Sequence, residues 1–146
     1  MEFSKIHAGI DLDCITDDVV ENVKDVFTRK IISNSLQEND FMSYWELGKR
    51  MQYEPKTKDE ICKYRGISIN LYENDENIEE YYKKIFRKVG QFKPKKIKPK
   101  FYCKFKFKNN AGKVWQNGYE KPYHCTFFKC DTFEINLIDV IEIKEF

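Results

Sequence analysis

Two histidines, His7 and His124, are the only side chains of this 146-residue chain whose unperturbed titration falls near neutrality. One imidazole as base and another as acid, with a lysine to hold phosphate, is enough for metal-independent RNA cleavage. Tyr119, Tyr123, Lys121 and Lys104 are the candidate neighbours of His124. The spacing forms no motif, and a histidine within a strand is more often a hydrogen-bonded structural residue. A small nuclease or transferase built on His124, Tyr123 and Lys121 is therefore the alternative reading, not the first.

The other nucleophilic and metal-ligating groups are weaker. His124, Cys125 and Cys130, with Cys103 from a neighbouring strand, have the atoms zinc needs. Zinc ligands usually come in close pairs on turns, whereas adjacent strand residues point to opposite faces, so no metal site is expected. Cys62 has nothing beside it in sequence to activate a thiolate. Gly-rich phosphate loops and GxSxG or HExxH sequences are absent. No cofactor is expected, and enzyme activity is disfavoured.

The strongest charge feature is the run from Lys93 to Lys108. Between Lys83 and Lys121 there are 14 basic residues and one acid, Glu120. Residues 1–80 carry 18 acids against ten bases, and residues 81–146 carry six against 16. Such asymmetry sets up a field that steers a charged partner, although the acidic half can equally offset it across one fold. Pro94 and Pro99 disfavour helix from residues 92–100. Beyond them Phe101, Cys103, Phe105 and Phe107 alternate with Tyr102, Lys104, Lys106 and Lys108, which is the period of a half-buried strand. The lysine face admits two readings, a solvated guard against edge pairing or a surface for phosphates.

The elements that must position these groups follow from periodicity. Residues 16–34 read as a helix with Val19, Val23, Val26, Phe27, Ile31 and Ile32 in one stripe, and residues 39–51 as a second helix carrying Phe41, Tyr44, Trp45 and Gly48. Residues 52–58 read as a connector. Arg65-Gly66 at the entry to a strand over residues 67–71 is a modest anion-site candidate. Residues 74–89 form the best helix, with acids at its start, bases at its end and Gly90 as its stop. Asn109 to Gly112 suits a tight loop. Strands are expected over residues 113–117, 123–129 and 133–144, the last central because it is apolar on both faces.

The expected fold is a single α+β domain over residues 1–146, with N-terminal helices on a mainly antiparallel sheet of four to six strands and a C-terminal β-meander. Aromatics at 16% argue against disorder. No apolar run is long enough to span a membrane, and no signal-peptide core is evident at the N-terminus. Five cysteines without paired spacing suggest free thiols in a reducing compartment, hence a cytoplasmic protein. The lysine-, asparagine- and isoleucine-rich composition suggests a bacterial, phage or mobile-element accessory protein.

The first reading is thus a non-enzymatic module that binds nucleic acid or a nucleoprotein. Lys95, Lys96, Lys98, Lys100, Lys104 and Lys106 would neutralise phosphates, with Tyr102 and Trp115 as stacking surfaces beside Tyr119 and Tyr123. A regulator or inhibitor docking on a protein partner through either charged half is a third reading.

Overall fold

A computed structural model describes residues 12–48, 55–92 and 99–146. The chain is α+β. The strands are β1 (Phe27–Ile31), β2 (Ile67–Leu71), β3 (Phe101–Phe107), β4 (Gly112–Gln116), β5 (His124–Lys129) and β6 (Ile138–Glu145). They form one antiparallel sheet in the order β4-β5-β2-β1-β3-β6. The helices are α1 (Lys58–Arg65) and α2 (Asp75–Phe92).

The alternation in β3 decides the two faces. Cys103, Phe105 and Phe107 enter the main core with Phe27, Ile31, Phe41, Ile67, Ile69, Cys125 and Phe127, and Phe101 packs against its margin. Each buried phenylalanine contributes about 1.5–3 kcal/mol. The sheet rolls around this core. Phe107 on β3 stacks on Phe127 of β5 with centroids 4.2 Å apart, although β1 and β2 lie between those strands. Three strand spacings in a flat sheet would hold them about 14 Å apart.

The second face carries both helices. Along β1 and β3, α2 buries Ile78 and Tyr82 against Tyr102. Beside β5, Cys62 of α1 packs with Cys14, Val19 and Phe128. A disulfide joins Cys14 to Cys62, with Cα atoms 5.7 Å apart. Thr57 caps α1 by accepting from the Glu60 N–H at 3.2 Å, and Gly66 ends it.

Several expectations change. Residues 16–34 are not a helix: Val20 bridges Val114 of β4, and β1 follows. An apolar pair at i and i+4, such as Phe27 and Ile31, shares a face in a strand as well as in a helix. From residue 39 onward the chain forms only a 3-10 turn (Glu38–Phe41) and turns to Gly48, and residues 49–51 lie outside the described part. Instead α1 begins at Lys58, at the end of the expected connector. Gly90 does not stop α2, which runs to Phe92. β6 is an edge strand, not a central one: Val140 and Ile141 are 41% and 52% exposed, beside an irregularity in its pairing with β3. Consecutive pairing among the last strands holds only for β4 with β5, because β3 pairs with β1 and β6. Cys14 and Cys62 are bonded, so free thiols describe only Cys103, Cys125 and Cys130, all buried. The cysteine argument for a cytoplasmic location loses that ground. Among the described residues, no helix is long and apolar enough to cross a membrane.

Candidate anion-binding cleft

Between α1 and α2 the second face is left open as a cleft of about 390 Å³. Its floor is the polar side of three strands: Lys30 of β1, Ser68 and Asn70 of β2, and His124 and Thr126 of β5. The strand alternation that sends Ile67, Ile69, Cys125 and Phe127 into the core turns these side chains the other way. Lys63 and Gly66 supply the α1 wall, Tyr82 the α2 wall, and Tyr44 and Pro99 are also among the lining residues.

Arg29 shapes the opening. β1 pairs with β2 only at Phe27↔Leu71 and Thr28↔Asn70, whereas its pairing with β3 runs the full length. Past that point the Arg29 guanidinium donates to the Ser68 carbonyl at 2.5 Å and to the Asp40 carbonyl. Burial pulls its pKa down, with Tyr82, Tyr44 and Asp40 opposing, and an arginine stays charged regardless. Among the described residues no carboxylate forms an ion pair with it, and the cleft lining contains Arg29, Lys30 and Lys63 but no acid.

His124 is held at both nitrogens, with Ser68 Oγ 2.6 Å from Nε2 and Asn117 Oδ1 2.8 Å from Nδ1. Burial, then the charges of Lys63 and Lys30, lowers its pKa to about 4, so the ring is neutral at pH 7. Tyr82 Oη meets Thr28 Oγ1 at 2.7 Å and donates to Asn70 Oδ1 at 3.4 Å. Thr126 is 1% exposed, and its hydroxyl has no hydrogen-bond partner. Gly66 is needed beside it, because a Cβ there would lie 2.3 Å from Thr126 Cγ2.

The residues singled out from sequence are scattered. Lys95, Lys96 and Lys98 lie outside the described residues, as does His7. Lys100 is exposed, next to Pro99 at the cleft. Tyr102 is fully buried and donates to Asp75 Oδ1 at 3.2 Å, so it offers no stacking face. Lys104 is 8% exposed and pairs with Asp75 at 2.8 Å and Glu142 at 2.9 Å. Desolvation lowers its pKa, but the hydrogen bonds it donates to Asp75, Glu142 and Tyr72 more than offset this, so its charge is satisfied inside the fold. Lys106 is partly buried, and Trp115 packs against the α1 cluster. Lys121 pairs with Glu73 at 3.2 Å, and Tyr123 precedes β5, its carbonyl accepting from Leu71 N–H at 2.9 Å. Arg65 lies over the Trp45 ring at 5.0 Å. Cys103 and Cys125 face the main core, away from His124, and burial pushes both thiols up to about 12.

Of the sequence candidates, then, the cleft gathers His124 and Gly66, and it adds Arg29, Lys30, Lys63, Ser68 and Thr126. Alternation in Ile67-Ser68-Ile69-Asn70 already put Ser68 and Asn70 on the polar side of a strand. Their meeting with His124 depends on the β2–β5 register, which local pattern does not carry. The chain matches no family model, no curated protein and no solved structure.

Proposed function

We propose that the chain is a binding module for single-stranded nucleic acid, which it holds by its phosphates in the cleft between α1 and α2. The observation that carries this reading is the convergence of Arg29, Lys30 and Lys63 on a cleft with no carboxylate among its described lining residues. Tyr44, 50% exposed at the cleft, supplies a ring on which an unpaired base stacks. Pro99 ties the cleft in sequence to the lysine run, with exposed Lys100 beside it. The nucleic-acid surface is thus moved from the outward side of β3, where Tyr102 and Lys104 are buried, to the floor of β1, β2 and β5.

Three phosphate contacts on a single strand predict a salt slope of about −2, so binding weakens about 20-fold when salt rises about fourfold. Fluorescence anisotropy with a labelled single-stranded oligonucleotide reads this directly. Lys63→Gln removes an exposed cation from the cleft wall and flattens the slope by about 0.7. Absence of binding at low salt, or an unchanged slope in this variant, refutes the assignment.

A further inference from the structure

Ser68, His124 and Asn117 form a relay on the cleft floor. An amide oxygen only accepts, so Asn117 Oδ1 at 2.8 Å fixes the ring hydrogen on His124 Nδ1. The Nε2 lone pair is left to accept from the Ser68 hydroxyl at 2.6 Å. The segment bearing Asn117 is itself anchored, because the N–H groups of Asn117 and Gly118 both donate to the His124 carbonyl, at 3.2 and 2.9 Å. Ser68 is exposed while His124 is partly buried, so the hydroxyl faces the cleft and its acceptor lies behind it. Holding β2 to β5 does not require this contact. The ladder already pairs Ser68 with Thr126 and Asn70 with His124, and Ser68 and His124 meet only on the diagonal.

We propose that Ser68 is a nucleophile, His124 its general base and Asn117 the residue that positions the imidazole, and that this relay cleaves phosphodiester bonds of a strand held in the cleft. The inference rests on the nucleic-acid reading above. His124 Nε2 takes the proton of Ser68 Oγ as that oxygen bonds to phosphorus. The bond from phosphorus to the leaving sugar oxygen breaks, and Nε2 returns the proton to that oxygen. Water then attacks the phosphoserine diester, losing its proton to Nε2, and Ser68 Oγ leaves and recovers the proton. One phosphodiester and one water become an alcohol and a phosphate monoester, with no change of oxidation state. Arg29, Lys30 and Lys63 supply the positive charge that the five-coordinate phosphorus requires. A bound phosphate also offsets the two lysines that depress His124, which moves the imidazole toward the range of an effective base.

The test uses the full chain and a fluorescein-labelled single-stranded oligodeoxynucleotide, which has no 2′-hydroxyl to replace the protein nucleophile. Cleavage is followed by gel electrophoresis, and acid-quenched reactions are mapped by peptide mass spectrometry. Expected are a nucleotidyl phosphate on the Ser68 peptide and a loss of at least about 100-fold in rate in both Ser68→Ala and His124→Gln. Binding by anisotropy should change less than about threefold in these variants, well inside the rate effect. Asn117→Ala should lower the rate about tenfold and displace the pH–rate profile, which a purely structural residue would not do. Wild-type protein that binds the strand and leaves it intact overturns this inference and leaves the binding module standing. Absence of binding sinks both. Cleavage that survives Ser68→Ala but not His124→Gln removes Ser68 as nucleophile.

Discussion

Replacing His124 by glutamine should abolish a specific part of the pH dependence of stability. In the folded chain burial and the nearby Lys63 and Lys30 hold the imidazole at about 4, whereas an unfolded histidine titrates near 6.5. The folded value is depressed, so the unfolded chain takes up the proton first as pH falls. The associated stability is complete above about pH 6.5, declines as pH falls toward 4, and is lost once the pH is below the folded value. Between about pH 7.5 and pH 5 the linkage relation gives a loss of about 2 kcal/mol. The charges acting on His124 are those of Lys63 on α1 and Lys30 on β1, and Arg29 lines the same cleft. Glutamine keeps an amide within reach of Ser68 and Asn117 but does not titrate, and any carboxylate contribution is common to both proteins. Urea denaturation of the two proteins at the two pH values should therefore show a difference in slope of about 2 kcal/mol. An NMR titration of the His124 ring should place its midpoint well below 6. Equal pH slopes, or a midpoint at the ordinary histidine value, would refute the buried neutral imidazole and the relay drawn from it.

Two further outcomes test the framework around the cleft. Lys129 is 8% exposed and pairs with Glu46 at 2.6 Å, so Lys129→Met should cost about 3 kcal/mol by removing the buried cation that pairs with a desolvated carboxylate, a fall in Tm on the order of 10 °C. Adding Glu46→Gln should recover part of that loss, and a double-mutant cycle without coupling would contradict the pairing. Gly66→Ala should destabilise by about 1–3 kcal/mol, since its Cβ would lie 2.3 Å from Thr126 Cγ2; a neutral result by thermal melting would mean that α1 shifts freely over β5.

The parts of the fold that were legible in sequence are those where one period excludes the other. In β3 the strict alternation of Phe101, Cys103, Phe105 and Phe107 fits only a strand, and it becomes one. In α2 the apolar spacing of Ile78, Tyr81, Tyr82 and Ile85 fits only a helix. Residues 16–34 failed because Val19, Val23, Phe27 and Ile31 are spaced by four, which both geometries accept. The helix α1 was missed for the opposite reason: Ile61 and Cys62 are its only aliphatic or sulfur-bearing apolar residues, so no stripe announces it. Its signal was the Thr57-x-x-Glu60 cap. Lys104 of β3 could not be placed from sequence because charge pattern does not say whether a partner waits across the fold. Asp75 and Glu142 answer Lys104 from α2 and β6. Likewise Ser68 and His124 are 56 positions apart, and their contact exists only once β2 and β5 are in register.

The rolled order of the sheet also bears on how the chain reaches it. β1 is central, yet one flank waits for β2 and the other for β3, whose Phe105 lies opposite Phe27. Pairings of this range close large loops before any contact compensates, which places folding on the order of milliseconds to seconds. During synthesis Phe27 and Ile31 leave the ribosome long before Phe101–Phe107 exists to cover them. A nascent chain halted after α2 would carry β1 with one edge open. Its apolar face would then be available to any extended strand nearby until β3 arrives.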